Sequence, residues 1–195
     1  MPQPTKAKPS AKRQPGATGS ASRKRASSGA KATSSDSYDG EDAIALLKAD
    51  HRAVSAMFKE FEQATGDADK RRIAIAICTA LKVHARLEED IFYPAAFAAI
   101  EDGDLIQEAM VEHASARDLI AQIESGAPGE ALYDARVMVL SEYIEHHVAE
   151  EEGEIFPRCR EAKGLDLTAL GARLALRKHE LSVGFTVSNP VLALS

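Results

Sequence analysis

His84-Ala-Arg-Leu-Glu88-Glu-Asp-Ile-Phe-Tyr-Pro94 and His147-Val-Ala-Glu-Glu151-Glu-Gly-Glu-Ile-Phe-Pro157 follow one pattern: a histidine, a glutamate four residues later, and a proline ten residues after the histidine. A spacing of four puts the imidazole and the carboxylate on one face of a helix, about one turn or ~5–6 Å apart along its axis. Two ligands are thereby presented to one compact site. Each pair also has a leading histidine, His51 lying 33 residues before His84 and His113 lying 34 before His147. The chain therefore reads as two similar helical hairpins. Folded antiparallel, each brings its leading histidine level with its own His/Glu pair, and pairing the hairpins gathers four histidines and two glutamates into one layer.

Working outward, each of four segments carries an apolar stripe that a histidine interrupts. The stripes are Ile44, Leu47, His51, Val54, Phe58, Phe61; Ile73, Ile77, Leu81, His84, Glu88, Ile91; Ile106, Met110, His113, Ala116, Ile120, Ile123; and Val137, Leu140, Ile144, His147, Glu151. Steps of three and four residues place all of these on core-facing helix surfaces. The first helix is expected over about 42–64, before Thr65-Gly66, and the second over 67–93, broken or kinked at Pro94. The third starts at Asp102-Gly103-Asp104 and runs to Ser125, and Gly126-Ala-Pro-Gly129 separates it from a fourth over 130–156, ended by Pro157. Short breaks between long helices give antiparallel neighbours. The expected fold is all-α: an up-down-up-down four-helix bundle over 41–160, an outer helix over about 167–181 within a C-terminal segment 161–195, and an irregular end.

Charge divides along the chain. Residues 1–40 hold eight Lys or Arg against two Asp, a net +6, which leaves −12 for residues 41–195 out of a total of −6. The first segment is Pro, Ser, Ala, Gly, Lys and Arg with little to bury, so it is expected to be disordered. Its clusters Lys12-Arg13 and Arg23-Lys24-Arg25 suit nucleic acid or an acidic partner, or serve only to solubilise. The acidic body argues against nucleic-acid binding by the bundle itself, since phosphate contacts need clustered cations. Cys78 and Cys159 are too few for a secreted disulfide framework. No apolar run approaches the ~20 residues of a membrane span, and the N-terminal residues lack the apolar stretch expected of a secretory signal. The expected location is cytoplasmic.

Four core histidines and two core carboxylates call for a cation, because without one the layer buries charge at several kcal/mol per ion. Imidazole with carboxylate and no thiolate excludes iron–sulfur chemistry and disfavours Ca²⁺ and Mg²⁺. A structural zinc needs four ligands. Six ligands suit two ions that share His51, His84, Glu88, His113, His147 and Glu151, with iron fitting best and manganese a further candidate.

These same residues resemble the hemerythrin HHE cation-binding family. His51, the His84 to Pro94 stretch, Glu112-His113 and the His147 to Pro157 stretch carry the likeness, and Leu170 to Leu181 is similar to the helix that comes after the bundle in bacterial members. The resemblance implies a hemerythrin-like fold, a binuclear non-haem iron site, terminal ligands His51, His84, His113 and His147, and bridging Glu88 and Glu151. It departs from the oxygen-carrying hemerythrins, whose third helix supplies two histidines one turn apart. Here Ala109 and Arg117 flank His113 at that spacing. A fifth histidine is absent, so a water, a tyrosine or another group is left to fill its place.

In the fourth helix His146 and Glu150 form a competing pair on the stripe Leu132, Val139, Tyr143; the common offset to proline favours His147 and Glu151. His179 lies outside the repeat. Glu89, Glu112, Glu152 and Glu154 read as solvated acids or as carboxylates that orient a ligating imidazole. The expected function is binding or sensing of O₂, NO or peroxide, with catalase-like or peroxidase turnover as a variant and no committed activity. The alternatives are an iron-buffering protein and an adaptor bundle acting through its basic tail.

Overall fold

The computed structural model describes residues 42–188, with side chains through residue 183. The basic segment 1–40, with its expected disorder and partners, and the last residues 189–195 lie outside this range. Helix α1 spans Ala43–Gln63, opened by Asp42, whose Oδ1 accepts from the Ala45 backbone N–H at 2.8 Å. Helix α2 spans Asp67–Leu87, with Asp67 and Asp69 in its first turn, where the helix dipole favours negative charge. Helices α4, Gly103–Ser125, and α5, Tyr133–Glu150, form the second hairpin. Helix α1 packs on α2, α2 on α4, α4 on α5 and α5 on α1, so the four close into an up-down-up-down bundle. Helix α7, Leu167–Ser188, packs outside against α1 and α2. It is longer than the stretch to residue 181 that its sequence suggested. Among the described residues no helix is long and apolar enough to cross a membrane.

The prolines do not end the helices. After α2 the chain makes one π-helical turn, Glu88–Phe92, and continues as α3, Tyr93–Ala99; after α5 it makes another, Glu151–Ile155, and continues as α6, Phe156–Glu161. Each proline is the second residue of the new helix, where a missing N–H costs least. Each π turn begins on the glutamate of the His/Glu pair. Its extra residue rotates the next stretch of helix, so Phe92 and Tyr93 face the core where the simple stripe expected Ile91, which is half-buried. A second correction falls on α4: Met110 is half exposed and Ala109 is buried in its place. The start of α5 is also later than expected, because Gly129, at φ +87°, turns the chain and residues 130–132 stay non-helical.

The core has two apolar compartments. One gathers Ile44, Leu47, Leu87, Phe92, Phe156 and Leu174; the other gathers Phe58, Phe61, Ile77, Leu81, Ile120 and Leu140. Along α1 and α4 the histidine falls in sequence between the residues of one compartment and those of the other.

Candidate metal centre

His51, His84, His113 and His147 are all buried, and Glu88 and Glu151 are 0% exposed. Their reactive atoms converge. His51 Nε2 lies 3.1 Å from His84 Nε2, and His113 Nε2 lies 3.2 Å from His147 Nε2. The glutamates stand between the two pairs. Glu88 Oε1 is 3.1 Å from His84 Nε2 and its Oε2 is 3.3 Å from His113 Nε2; Glu151 Oε2 is 3.3 Å from His51 Nε2 and 3.6 Å from His147 Nε2. His51, His84, Glu88 and Glu151 form one group able to hold a metal ion, and Glu88, His113 and His147 form another that shares Glu88. The structure thus brings all six residues singled out in the sequence into one layer. His146 is on the outside, as are Leu132, Val139 and Tyr143 of its stripe, and His179 is exposed on α7.

The other ring nitrogen of every histidine faces a carboxylate. His51 Nδ1 is 3.0 Å from Glu152, His113 Nδ1 is 3.1 Å from Glu89, and His147 Nδ1 is 2.8 Å from Glu112. His84 Nδ1 stands 3.7 Å from Asp50, a longer ion-pair contact rather than a hydrogen bond. These acids sit one position from a core residue of the layer: Asp50 before His51, Glu112 before His113, Glu89 after Glu88, Glu152 after Glu151. A carboxylate at Nδ1 keeps the proton there and leaves the Nε2 lone pair free. Glu89, Glu112 and Glu152 therefore orient rings rather than serve as plain surface acids, whereas Glu154 is exposed and pairs with Arg158 at 3.2 Å. Asp50 escaped the sequence reading, although its place in the repeat matches that of Glu112.

Tyr93 is the second residue that the sequence reading did not single out. Its hydroxyl donates to Glu151 Oε1 at 2.9 Å and lies 3.4 Å from His113 Nε2. The signal was present, since Tyr93 and Phe156 occupy the same position of the repeat and only Tyr93 has a hydroxyl. Burial, together with Glu88 and Glu151, holds the phenol well above its usual pKa, so it stays a proton donor.

The layer fits a cation pair on its own chemistry. In the His113–His147 pair both Nδ1 atoms are hydrogen-bonded to carboxylates, so the facing Nε2 lone pairs repel unless something positive joins them. Both oxygens of Glu88 and Oε2 of Glu151 accept no hydrogen bond, because the nearby imidazoles approach at hydrogen-bond distance but off its angles. With protons as the sole source of positive charge, burial would depress His84, but Glu88 and Asp50 outweigh it and push its pKa up to about 10. Burial likewise opposes, and Glu88 and Glu89 raise, His113 to about 9. Burial raises Glu88, but His84 and His113 outweigh it and hold it well below the usual carboxylate range. An ionised carboxylate buried at Glu88 demands a cation of some kind.

A cavity of about 470 Å³ reaches the layer between Val54, Leu81, Ala116, Ile120 and Ile144, with Arg117 and Glu89 at its rim. A second, of about 490 Å³, approaches His51 from the α1/α5 seam.

A helical bundle with a buried His/carboxylate layer between its helices is the class this fold and site define. Residues 42–159 match the hemerythrin HHE cation binding domain, and the chain belongs to that family. Among curated relatives, a DNA nickase of Nostoc sp. is 28% identical over 115 residues, which is 59% of this chain but 32% of that protein, so the chain spans about a third of its length. The uncharacterized protein Rv2633c of Mycobacterium tuberculosis is 27% identical over 146 residues, 72% of this chain and 87% of that one. A crystal structure of its homologue from Mycobacterium kansasii, a hemerythrin HHE cation binding domain-containing protein, shares the fold with a TM-score of 0.67 at 23% identity, covering 77% of this chain and 94% of that chain.

Proposed function

We propose that the protein is a non-haem di-iron protein that binds or senses a small oxidant or diatomic ligand, O₂, NO or peroxide, within the histidine layer. The observation that carries this is the pair of fully buried glutamates, each placed between two histidines whose second nitrogens face carboxylates. Glu88 is common to both candidate groups and would be held by both ions. Iron suits imidazole with carboxylate, and manganese remains compatible with the same donors. Bound iron would supply reversible one-electron chemistry and open positions for ligand.

The chain's own residues do the rest. His51, His84, His113 and His147 offer Nε2 as terminal ligands, and Asp50, Glu89, Glu112 and Glu152 fix their rings. Tyr93 Oη holds a proton beside Glu151 at the layer. The apolar cavity lets a small uncharged molecule reach the layer while limiting water.

The test is the absorption spectrum of anaerobically reduced, iron-loaded protein before and after O₂, NO or H₂O₂. Ferric charge-transfer bands and about two iron ions per chain are expected. Glu88→Ala and Glu151→Ala should each abolish the paired-iron spectrum while leaving helicity intact. One zinc ion and no iron after anaerobic iron loading would reject the reading. Slow stoichiometric oxidation with no response to added ligand would favour iron buffering instead.

A further inference from the structure

Each carboxylate that holds an imidazole is met on its outer side by a further group. Lys178 of α7 pairs with Asp50, Arg117 with Glu89, and Lys48 with Glu152 at 2.9 Å. These are permanent cations. The fourth corner is built differently: Glu112 meets His146, whose Nε2 is 3.6 Å from Glu112 Oε1, and α5 brings Glu150 Oε1 to 3.3 Å from the same nitrogen. His146 is 63% exposed, so the corner faces solvent.

We propose that Glu112, His146 and Glu150 form a separate mononuclear site for a first-row divalent cation, outside the buried layer. Metal–nitrogen and metal–oxygen bonds of about 2.0–2.2 Å in a tetrahedron set ligand atoms about 3.3–3.6 Å apart, the spacing that His146 keeps from both carboxylates. The three ligand atoms all lie within 4.8 Å of one another. One imidazole and two carboxylates make a donor set that favours zinc, iron or manganese over calcium, with a position left for water. His146 and Glu150 are one turn apart on α5, whereas Glu112 comes from α4, so the ion joins two helices of the same hairpin. Glu112 also ties the site to the layer, since its Oε2 holds His147 Nδ1 at 2.8 Å while its Oε1 faces outward. An ion here rests on the hydrogen bond that orients His147. At the other three corners a lysine or arginine would repel it.

The experiment is equilibrium dialysis of the full chain against Zn²⁺, comparing wild type with His146→Ala and Glu150→Gln. It reads a difference between proteins, so it is independent of how many ions the buried layer holds and of the function proposed for that layer. Each variant should bind about one Zn²⁺ fewer per chain, or bind it at least tenfold more weakly, with unchanged helicity. Cobalt(II) should report the same difference through visible bands of low-coordinate geometry, present in wild type and reduced in both variants. Equal zinc stoichiometry and affinity in all three proteins would overturn the proposal. So would loss in one variant alone, since the site needs both residues.

Discussion

His84 is oriented from Nδ1 by Asp50, and Asp50 in turn by Lys178. Removing a carboxylate of this kind leaves the ligand present but free to rotate, which typically weakens metal binding about 10–100-fold. Asp50→Ala should show such a loss in a chelator competition titration, while Glu154→Ala, a change at an exposed acid, should show none. Equal affinities would mean that Asp50 does not hold the ring. That the six core residues share one layer was legible from the four-residue steps together with the common offset to proline, which separated His147 and Glu151 from His146 and Glu150. Asp50 was not. An acid beside a histidine looks like any solvated acid until a second helix places a ring nitrogen against it, and that is a tertiary fact. Tyr93 was hidden for a related reason, since its direction depends on the extra residue in the π turn.

The general course of all four bundle helices was readable, because Thr65-Gly66, Gly103 and Gly126-Ala-Pro-Gly129 interrupt the stripes between them. What the period of 3.6 could not reveal was the π turn, which adds a residue without adding a break and so exchanges Ile91 for Phe92 in the core. Met110 misled for a different reason: its apolar side chain fits a three-residue step to His113, but Ala109, four residues before it, is the one buried, at 3% exposure. The π turn is itself testable. Deleting Asp90 removes the extra residue and restores an uninterrupted α-helix in which Phe92 and Tyr93 come three and four positions after Glu88 and still face the core. The shortened protein should keep its helicity and lose little in denaturation midpoint. A loss of about 3–5 kcal/mol, the cost of a displaced buried aromatic, would show that the turn itself sets the direction of these rings.

Stability should depend on pH in opposite senses with and without metal. In the stripped protein His84 and His113 have raised folded-state pKa values, about 10 and about 9. Their contribution is full below the unfolded value of about 6.5 and is lost as pH rises through about 9–10. In the loaded protein the ions bind the folded site far better than the unfolded chain, and protons compete for the same nitrogens, so that contribution is lost on acidification. Thermal melts from pH 5 to 9 should therefore give curves that lie close together at pH 5 and diverge upward, with the loaded form more stable at neutral pH. Identical melting temperatures at neutral pH would show that the layer holds no metal.

His51 takes its carboxylate from Glu152, and His113 takes its own from Glu89, so each half of the chain steadies a ring that belongs to the other. A polypeptide leaves the ribosome N-terminus first. While α1 and α2 emerge, His51 has no acid at its Nδ1 and the first hairpin lacks Glu151. The complete chelate comes into being only after residue 152 has cleared the exit tunnel. Translation products that stop short of that point offer a cation no finished pocket, and cation capture becomes a late event in the life of the nascent chain.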